Sequence, residues 1–121
     1  MSAKDNFFNL DAMEQGIARQ LAEGMSTRVF AGDEAMISVV RIEANRAGET
    51  HSHPQEQWGL CIQGSGVRIQ GGEEVAVSAG DFWRTPGGVE HGFRAGPEGA
   101  VVYDVFAPPR KEYTSSGSGF S

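Results

Sequence analysis

Glycine spacing is the feature of this sequence that most limits the fold. The chain has 17 glycines, and several follow one another at intervals of eight or sixteen residues. Most of these stand next to another residue that favours turns, so each marks a place where the chain can reverse direction. Turns at this spacing are typical of short strands in a β-sandwich or β-barrel. The set comprises Gly24, Gly32, Gly48, Gly64, Gly72, Gly80, Gly88 and Gly96.

The segments between these glycines have the composition of strands. Residues 36–42 and 100–106 are rich in β-branched and aromatic side chains, which pack well on a pleated sheet. Residues 67–69 and 75–77 are separated by a loop with two glycines, and this pattern predicts a β-hairpin. The sequence therefore predicts an all-β fold.

The N-terminal quarter is the exception. Apolar residues three or four apart over residues 10–23 predict a short helix, because this spacing places them on one helical face. Gly16 lowers the helix propensity in the middle of the stretch. The alternative is a turn that leads into a strand over residues 27–30.

Length and composition limit the organisation of the chain. Its 121 residues suffice for one domain with its own core. We expect a single domain over residues 1–113. Residues 114–121 are rich in serine and glycine, and we expect a flexible tail there unless a partner subunit holds it.

Charge and cysteine content exclude several classes of partner. The net charge of −6 offers no basic surface for nucleic acid or for an anionic membrane. Cys61 is the one cysteine, so no internal disulfide forms, as expected in a reducing compartment. The sequence has no run of eighteen apolar residues and no apolar stretch of the signal-peptide type near Met1. We therefore expect a soluble, cytoplasmic protein.

A His-x-His pair is the strongest chemical signal. His51 and His53 share a face of an extended strand, and Gln57 has the same parity if no bulge intervenes. A bulge at Pro54 would bring Glu56 to that face instead. The third histidine, His91, is the only other one in the chain.

Three imidazoles and an amide oxygen suit one divalent transition metal, namely nickel, zinc, manganese, iron or cobalt. Such a ligand set leaves the full +2 charge on the ion and favours an anionic substrate. The alternative is that His51 and His53 are ordinary surface residues and that His91 is hydrogen-bonded in a turn. Cys61 has interior parity but is more typical of a small buried hydrophobe.

A second group of candidate residues lies near the C-terminus. Asp104 and Phe106 share one face of a predicted strand, and Arg110 follows two prolines. Asp104 could act as a general acid or base beside the metal, and Arg110 could bind a substrate carboxylate. Equally, Asp104 could pair with Arg41 or Arg84, Phe106 could fill the core, and Arg110 could be solvated.

These motifs resemble those of small cupins. His51, His53, Gln57 and Gly64 follow the spacing of the first cupin motif, with glutamine where glutamate is usual. Gly80, Pro86, Gly88 and His91 follow the second motif. Asn45 and Ala95 depart from the common residues at the motif ends. The resemblance spans roughly residues 24–110 and implies a double-stranded β-helix, or jelly-roll barrel, with a metal inside.

The spacing of Asp104, Phe106 and Arg110 further resembles small cupins of pectin and alginate breakdown, the KdgF type. Members of that group open the ring of 4,5-unsaturated uronates to give linear keto acids. The resemblance implies that His51, His53, Gln57 and His91 bind the metal. It also implies that the three C-terminal residues act on a small anionic substrate.

Two other functions remain open. A cupin dioxygenase would use ferrous iron, and a non-catalytic cupin would bind or sense a small ligand. Trp58, Leu60 and Ile62 form an apolar face opposite the predicted metal face, and the resemblance implies a homodimer.

Overall fold

The computed structural model describes residues 2–114 and 117–120. These residues form eight strands, and their helical segments are single 3-10 turns at Ala3–Asn6, Met13–Gln15 and Lys111–Thr114. The predicted all-β jelly roll is confirmed. The strands are β1 Ile17–Ala22, β2 Met25–Ala31, β3 Met36–Ile42, β4 Glu56–Gln70, β5 Glu73–Ser78, β6 Phe82–Thr85, β7 His91–Ala107 and β8 Gly117–Ser118.

The strands hydrogen-bond in the order β5-β4-β7-β3-β2-β1-β8, and β6 pairs with the first part of β4. β4 and β7 pair along almost their whole length, and the register shifts twice, between Cys61 and Gln63 and between Gly64 and Gly66. Such irregularities bend a strand. The two long strands therefore take part in both faces of the barrel. β3 pairs with the C-terminal part of β7, and β5 pairs with the C-terminal part of β4.

Glycine makes the bend at Gly64 feasible. Its φ of +79° lies in the left-handed region, and a Cβ there would stand 2.0 Å from the carbonyl oxygen of Gly99. A side chain at this position would therefore push β4 and β7 apart.

The core lies between the two faces and includes Met25, Val29, Met36 and Phe106, each at most 3% exposed. Alternation along β2, β3 and β7 supplies these inward side chains. The predicted hairpin is confirmed, because β4 and β5 pair from Ser65 with Ser78 to Gln70 with Glu73.

Of the two alternatives for residues 10–23, the helix is wrong, and the turn that leads into a strand over residues 27–30 is confirmed, since β2 spans Met25–Ala31. A 3-10 turn covers Met13–Gln15, and Ile17–Ala22 is strand β1, antiparallel to β2. Leu21 packs in the core as a strand residue. The apolar spacing that resembled a helical face belongs to a turn and a strand, and pairing with β2 decided between the two periods.

The structure gives defined contacts to part of the segment for which a flexible tail is expected. Gly117–Ser118 forms β8, which runs parallel to β1, and Phe120 packs against the core. An edge strand with free backbone groups and an apolar ring at position 120 explain this placement. Ser115, Ser116 and Ser121, which the same prediction covered, lie outside the described residues.

Candidate metal centre

The three histidines meet inside the barrel. Each offers one ring nitrogen to a group whose atoms lie within 4.8 Å of one another. The ring centroids of His51 and His91 are 4.6 Å apart, and those of His53 and His91 are 4.9 Å apart. His53 and His91 are buried, with 6% and 2% exposure. The residues at predicted metal positions are therefore neighbours in space.

Backbone pairing brings the histidines together. The His51 N–H donates to the His91 carbonyl at 2.9 Å, and the His91 N–H donates to the His51 carbonyl at 2.8 Å. The Gly88 N–H donates to the His53 carbonyl at 2.8 Å. The expectation that His51, His53 and Gln57 share one uninterrupted strand is wrong, because β4 begins only at Glu56. Pairing with the chain around His91 replaces strand parity as the cause of their convergence.

A backbone carbonyl two residues away orients each ring. The Nδ1 atoms lie 3.1 Å from Glu49 O for His51, 3.0 Å from Gln55 O for His53 and 2.9 Å from Val89 O for His91. A carbonyl only accepts, so each Nδ1 carries the hydrogen and each Nε2 keeps its lone pair. The three lone pairs suit coordination of a metal ion.

Burial keeps the rings neutral. It lowers the pKa of His51 to about 4 and that of His91 to about 3, with Arg110 and Arg68 respectively as the strongest nearby charges in the same direction. Burial and Arg110 also lower the pKa of His53. Neutral imidazole is the form that binds metals, so the site is in its binding state at neutral pH.

Gln57 faces the histidines, and Glu56 faces away. The Gln57 Oε1 lies 3.0 Å from the His53 Nε2. The Glu56 Oε2 instead accepts from Trp58 Nε1 and Arg84 Nε, each at 2.9 Å. The oxygen beside the cluster therefore belongs to an amide, as the motif spacing predicts.

Two observations test whether these residues fit a cation. With hydrogen on Nδ1, the His53 Nε2 and the Gln57 Oε1 present lone pairs to each other across 3.0 Å. The His91 Nε2 is buried and has no hydrogen-bond partner in the described part of the chain. A cation would satisfy all three atoms, so the donor set fits a divalent transition metal.

Asp104 lies close to the cluster. It pairs in register with Ser38 on β3 and Gly59 on β4, and its Oδ1 is buried without a partner among the described residues. Burial raises the pKa of the Asp104 carboxyl to about 6, although Arg68 and a hydrogen bond from Gln57 lower it. The carboxyl can therefore gain or lose a proton near neutral pH.

The alternative partners suggested for Asp104 are occupied elsewhere. Arg84 pairs with Glu56, and Arg41 donates to the Leu10 carbonyl at 3.1 Å. Within residues 2–114 and 117–120, no ion pair involves Asp104.

Phe106 and Arg110 are buried on the same side of the barrel. The Phe106 ring is 5.4 Å from that of His53. Arg110 is 3% exposed, and its guanidinium stacks 4.3 Å from the Tyr113 ring. Its Nε and Nη1 have no hydrogen-bond partner in the described part of the chain, and no described carboxylate pairs with it. Arg110 is therefore not the solvated residue of the alternative interpretation.

Sequence reasoning missed Arg68. This buried arginine lines the same cavity, with Nη2 donating to Thr85 Oγ1 at 2.8 Å and Nε donating to Gln70 Oε1 at 3.3 Å. The register shift between Cys61 and Gln63 changes which residues of β4 face inward, so parity counted from Gln57 does not identify Arg68.

The cavity measures about 40 Å³. Both polar and apolar side chains line it. Its polar and aromatic lining includes His51, Gln57, Arg68, His91, Asp104, Phe106, Tyr113 and Phe120. Nothing in the sequence pointed to Tyr113 or Phe120, except that Phe120 is the one aromatic residue of the tail.

Comparisons with known proteins agree with this architecture. The family model described as "Cupin domain" matches residues 38–106. An RmlC-like cupin from Shewanella frigidimarina superposes with a TM-score of 0.75 at 24% identity, over 83% of this chain and 90% of that one. No curated protein sequence matches this chain.

Two further solved structures are similar. KdgF from Halomonas sp. has a TM-score of 0.74 at 24% identity, over 82% of this chain and 92% of its own. A variant of oxalate decarboxylase from Bacillus subtilis has a TM-score of 0.75 at 22% identity, over 85% of this chain. This chain spans only 30% of that enzyme. At these identities the likeness concerns the fold.

In residues 2–114 and 117–120, no helical segment has the length and hydropathy of a membrane span.

Proposed function

The chain belongs to the cupin family, and we propose that it is a metal-dependent member acting on a small carboxylate-bearing sugar or keto acid. The reaction proposed is the opening of 4,5-unsaturated uronates to linear keto acids. One observation supports this above other functions: a carboxyl group with a pKa of about 6 shares a cavity with neutral imidazoles and a buried arginine. The fold likeness to KdgF agrees with it.

The proposed metal ligands are the Nε2 atoms of His51, His53 and His91 and the Oε1 of Gln57. Nickel, zinc, manganese, iron and cobalt all suit this donor set. One of the similar structures, Bacillus subtilis oxalate decarboxylase, contains Mn(II) centres. The bound ion would serve as a Lewis acid that polarises a substrate oxygen.

Asp104 is the proposed proton carrier. Ring opening is an isomerisation in which the anomeric hydroxyl loses a proton, the C1–O5 bond breaks, and carbonyl groups form at C1 and C5. The proton that leaves the hydroxyl is replaced by one added at C4. A carboxylate with a pKa of about 6 can accept the first proton and, once protonated, donate one to C4. Atoms and electrons balance without an oxidant or reductant.

Two buried arginines favour an anionic substrate. Arg110 lies near His51 and His53, since its charge lowers the pKa of both, and Arg68 lies near His91. No described carboxylate forms an ion pair with either guanidinium. A substrate carboxylate would supply the missing counter-charge and bind Arg110 through two hydrogen bonds. Phe106 would form the apolar wall beside it.

The test begins with elemental analysis of the purified protein and an ultraviolet assay of unsaturated galacturonate, whose conjugated double bond disappears on ring opening. Asp104→Asn should reduce kcat by about 100- to 10,000-fold, the usual contribution of a positioned acid or base, and should still bind metal. Asp33→Asn, at an exposed position, is the matched control and should retain activity.

Several outcomes would contradict this function. Full activity in Asp104→Asn would exclude the proton-transfer role. Oxygen consumption by an iron-loaded protein would favour the dioxygenase. Uronate binding without turnover in the wild-type protein would favour a sensor.

The outer face of the barrel supports a homodimer. Register places Leu60 between Phe82 and Tyr103, and it places Trp58 beside Val105. Trp58, Leu60 and Phe82 are exposed to 45%, 38% and 69%. We propose that a second copy of the chain covers this apolar surface.

A reducing, cytoplasmic location is proposed on the state of Cys61. Its thiol is fully buried and donates to the carbonyls of Gln63 and Gly64 at 3.4 and 3.7 Å. Burial and the charge of Asp81 raise its pKa. An inert free thiol is typical of proteins from reducing compartments. Cell fractionation tests this location, and recovery of the protein in the periplasmic fraction would contradict it.

A further inference from the structure

We propose that residues 117–120 form a strap that closes the metal centre and must open before a substrate enters, with Phe120 occupying the substrate's place in the closed state. The identity of the displaced substrate rests on the proposed function. The closure itself rests on the contacts of the strap alone.

Main-chain bonds hold the strap against β1. Gly117 and Ser118 pair with Arg19 and Gln20, and the Gly119 N–H donates to the Gln20 carbonyl at 2.8 Å. The buried Arg19 donates from Nη2 to the carbonyls of Ser118 and Gly119 at 2.9 and 3.0 Å. These bonds direct the following residue, Phe120, towards the cavity.

Phe120 packs directly on a candidate metal ligand. Its ring centroid is 4.5 Å from that of His51. A glycine makes room for it, because a Cβ at position 48 would stand 2.5 Å from the Phe120 Cζ. Phe120 also lines the cavity. The ring therefore covers the metal site from the side of His51.

The strap also occupies one of the hydrogen-bond donors of Arg110. The Phe120 carbonyl accepts from the Nη2 of Arg110. A guanidinium has two edges that bind a carboxylate with two hydrogen bonds, Nε with Nη2 and Nη1 with Nη2, so Nη2 belongs to both. The carbonyl thus competes with a substrate carboxylate, while Nε and Nη1 remain without partners among the described residues.

The closed cavity is too small for a sugar acid. It measures about 40 Å³, whereas pockets for small molecules measure roughly 300–1,000 Å³. In the same measure, one water needs roughly 10–15 Å³. The closed form has room for solvent and an ion only, so a hexuronate requires movement of the lining.

The strap is the part of the lining best suited to move. It is two strand residues and two further residues, and Phe120 is its one apolar side chain. Most other apolar lining residues, such as Phe106 and Met25, belong to strands of the barrel. Release of the strap breaks a few main-chain bonds and exposes one ring, while movement of β2 or β7 would disrupt the barrel.

Three variants test the strap. Phe120→Ala removes the ring, and Gly48→Ala adds a methyl group that displaces the ring while keeping the tail sequence. Phe7→Ala, at a residue that is 71% exposed, is the matched control. In each variant we would measure hydrogen exchange at the Gly119 amide without metal, and the rate at which EDTA removes Ni²⁺ from the loaded protein.

We expect faster exchange at Gly119 and faster Ni²⁺ loss, each by about tenfold, in Phe120→Ala and Gly48→Ala, because the open state becomes more populated. Phe7→Ala should match the wild type. Saturating unsaturated galacturonate should also increase Gly119 exchange in the wild type. The proposal is overturned if both folded variants keep wild-type rates, or if the sugar acid protects Gly119. A protein that takes up no Ni²⁺ would defeat the proposed function, while the exchange measurement would still decide the strap.

Discussion

The outer and inner faces of the paired strands β4 and β7 differ in how their polar groups are satisfied. On the outer face, Glu56 accepts hydrogen bonds from Trp58 and Arg84 and forms an ion pair with Arg84. On the inner side, the buried atoms His91 Nε2 and Asp104 Oδ1 have no partner among the described residues. In this pair of strands, the outer carboxylate of Glu56 is thus satisfied, while the inner atoms His91 Nε2 and Asp104 Oδ1 are not.

The difference indicates that the interior is arranged for a ligand at some expense of stability. A buried polar atom without a partner costs about 1–3 kcal/mol. Arg110 adds two more such atoms to the interior, Nε and Nη1. A metal ion and an anionic substrate would satisfy these groups. Predictions that separate the two faces follow, from the largest expected effect to the smallest.

Arginine substitutions should give the largest difference in kcat/KM between the inner and outer faces. Arg110→Gln should lower kcat/KM for unsaturated galacturonate about 100-fold, equivalent to about 2.7 kcal/mol, because a buried charged contact to the substrate is lost. Arg84→Gln removes an arginine from an exposed ion pair and should change kcat/KM less than about twofold. Steady-state kinetics and urea unfolding of both variants test this. Equal losses in the two variants would remove the distinction between the faces.

The pH dependence of stability should reflect the inner residues. Burial holds the pKa of His51 and His91 at about 4 and 3, below the unfolded value of roughly 6.5. Between pH 6.5 and 4 the unfolded chain therefore binds more protons at these rings. Their contribution is complete above pH 6.5 and is lost on acidification, by on the order of 1–3 kcal/mol per ring.

The contribution of Asp104 to stability changes with pH in the opposite direction. Its raised pKa, about 6, favours the folded state at acidic pH, and this contribution is lost as the pH rises through 6. Two rings outweigh one carboxyl, so urea unfolding of the metal-free protein should show falling stability from pH 6.5 to 4.5. His91→Gln should reduce the slope. A slope that His91→Gln leaves unaltered would contradict the assignment.

The outer face should respond through assembly. Leu60→Glu places a charge in the proposed dimer surface and should yield a monomer in sedimentation velocity. The monomeric variant should still fold, because the position is solvent-exposed in the isolated chain. Glu74→Gln, at an exposed position on β5, should keep the wild-type mass. A dimer in Leu60→Glu would place the subunit contact elsewhere.

Local sequence was sufficient for most of the fold. Residues 36–42 and the 67–77 hairpin are strands because their β-branched residues and glycine loop agree with their tertiary setting. Residues 10–23 could not be predicted, since their spacing fits a helix and only pairing with β2 makes Ile17–Ala22 a strand. The tail depends on Arg19, which is far away in sequence.

The site was predictable where composition alone marks it. Three histidines and no others leave few ways to build a cluster, and Gln57 follows from motif spacing. The way in which the histidines come together was not predictable, because long-range main-chain pairing with His91 holds His51 in place. Arg68 was not predicted, because the register shift between Cys61 and Gln63 reverses the alternation along β4, and no sequence rule places such a shift.

The ring-orienting contacts of the histidines come from main-chain oxygens of residues 49, 55 and 89. Every amino acid carries such an oxygen, so these three positions can change identity without altering how the imidazoles are aimed. Mutational drift in the surrounding loops is thereby uncoupled from the geometry of the centre. Selection can therefore change the loop side chains, and hence which molecules enter the barrel, while the orientation of the three imidazoles stays the same.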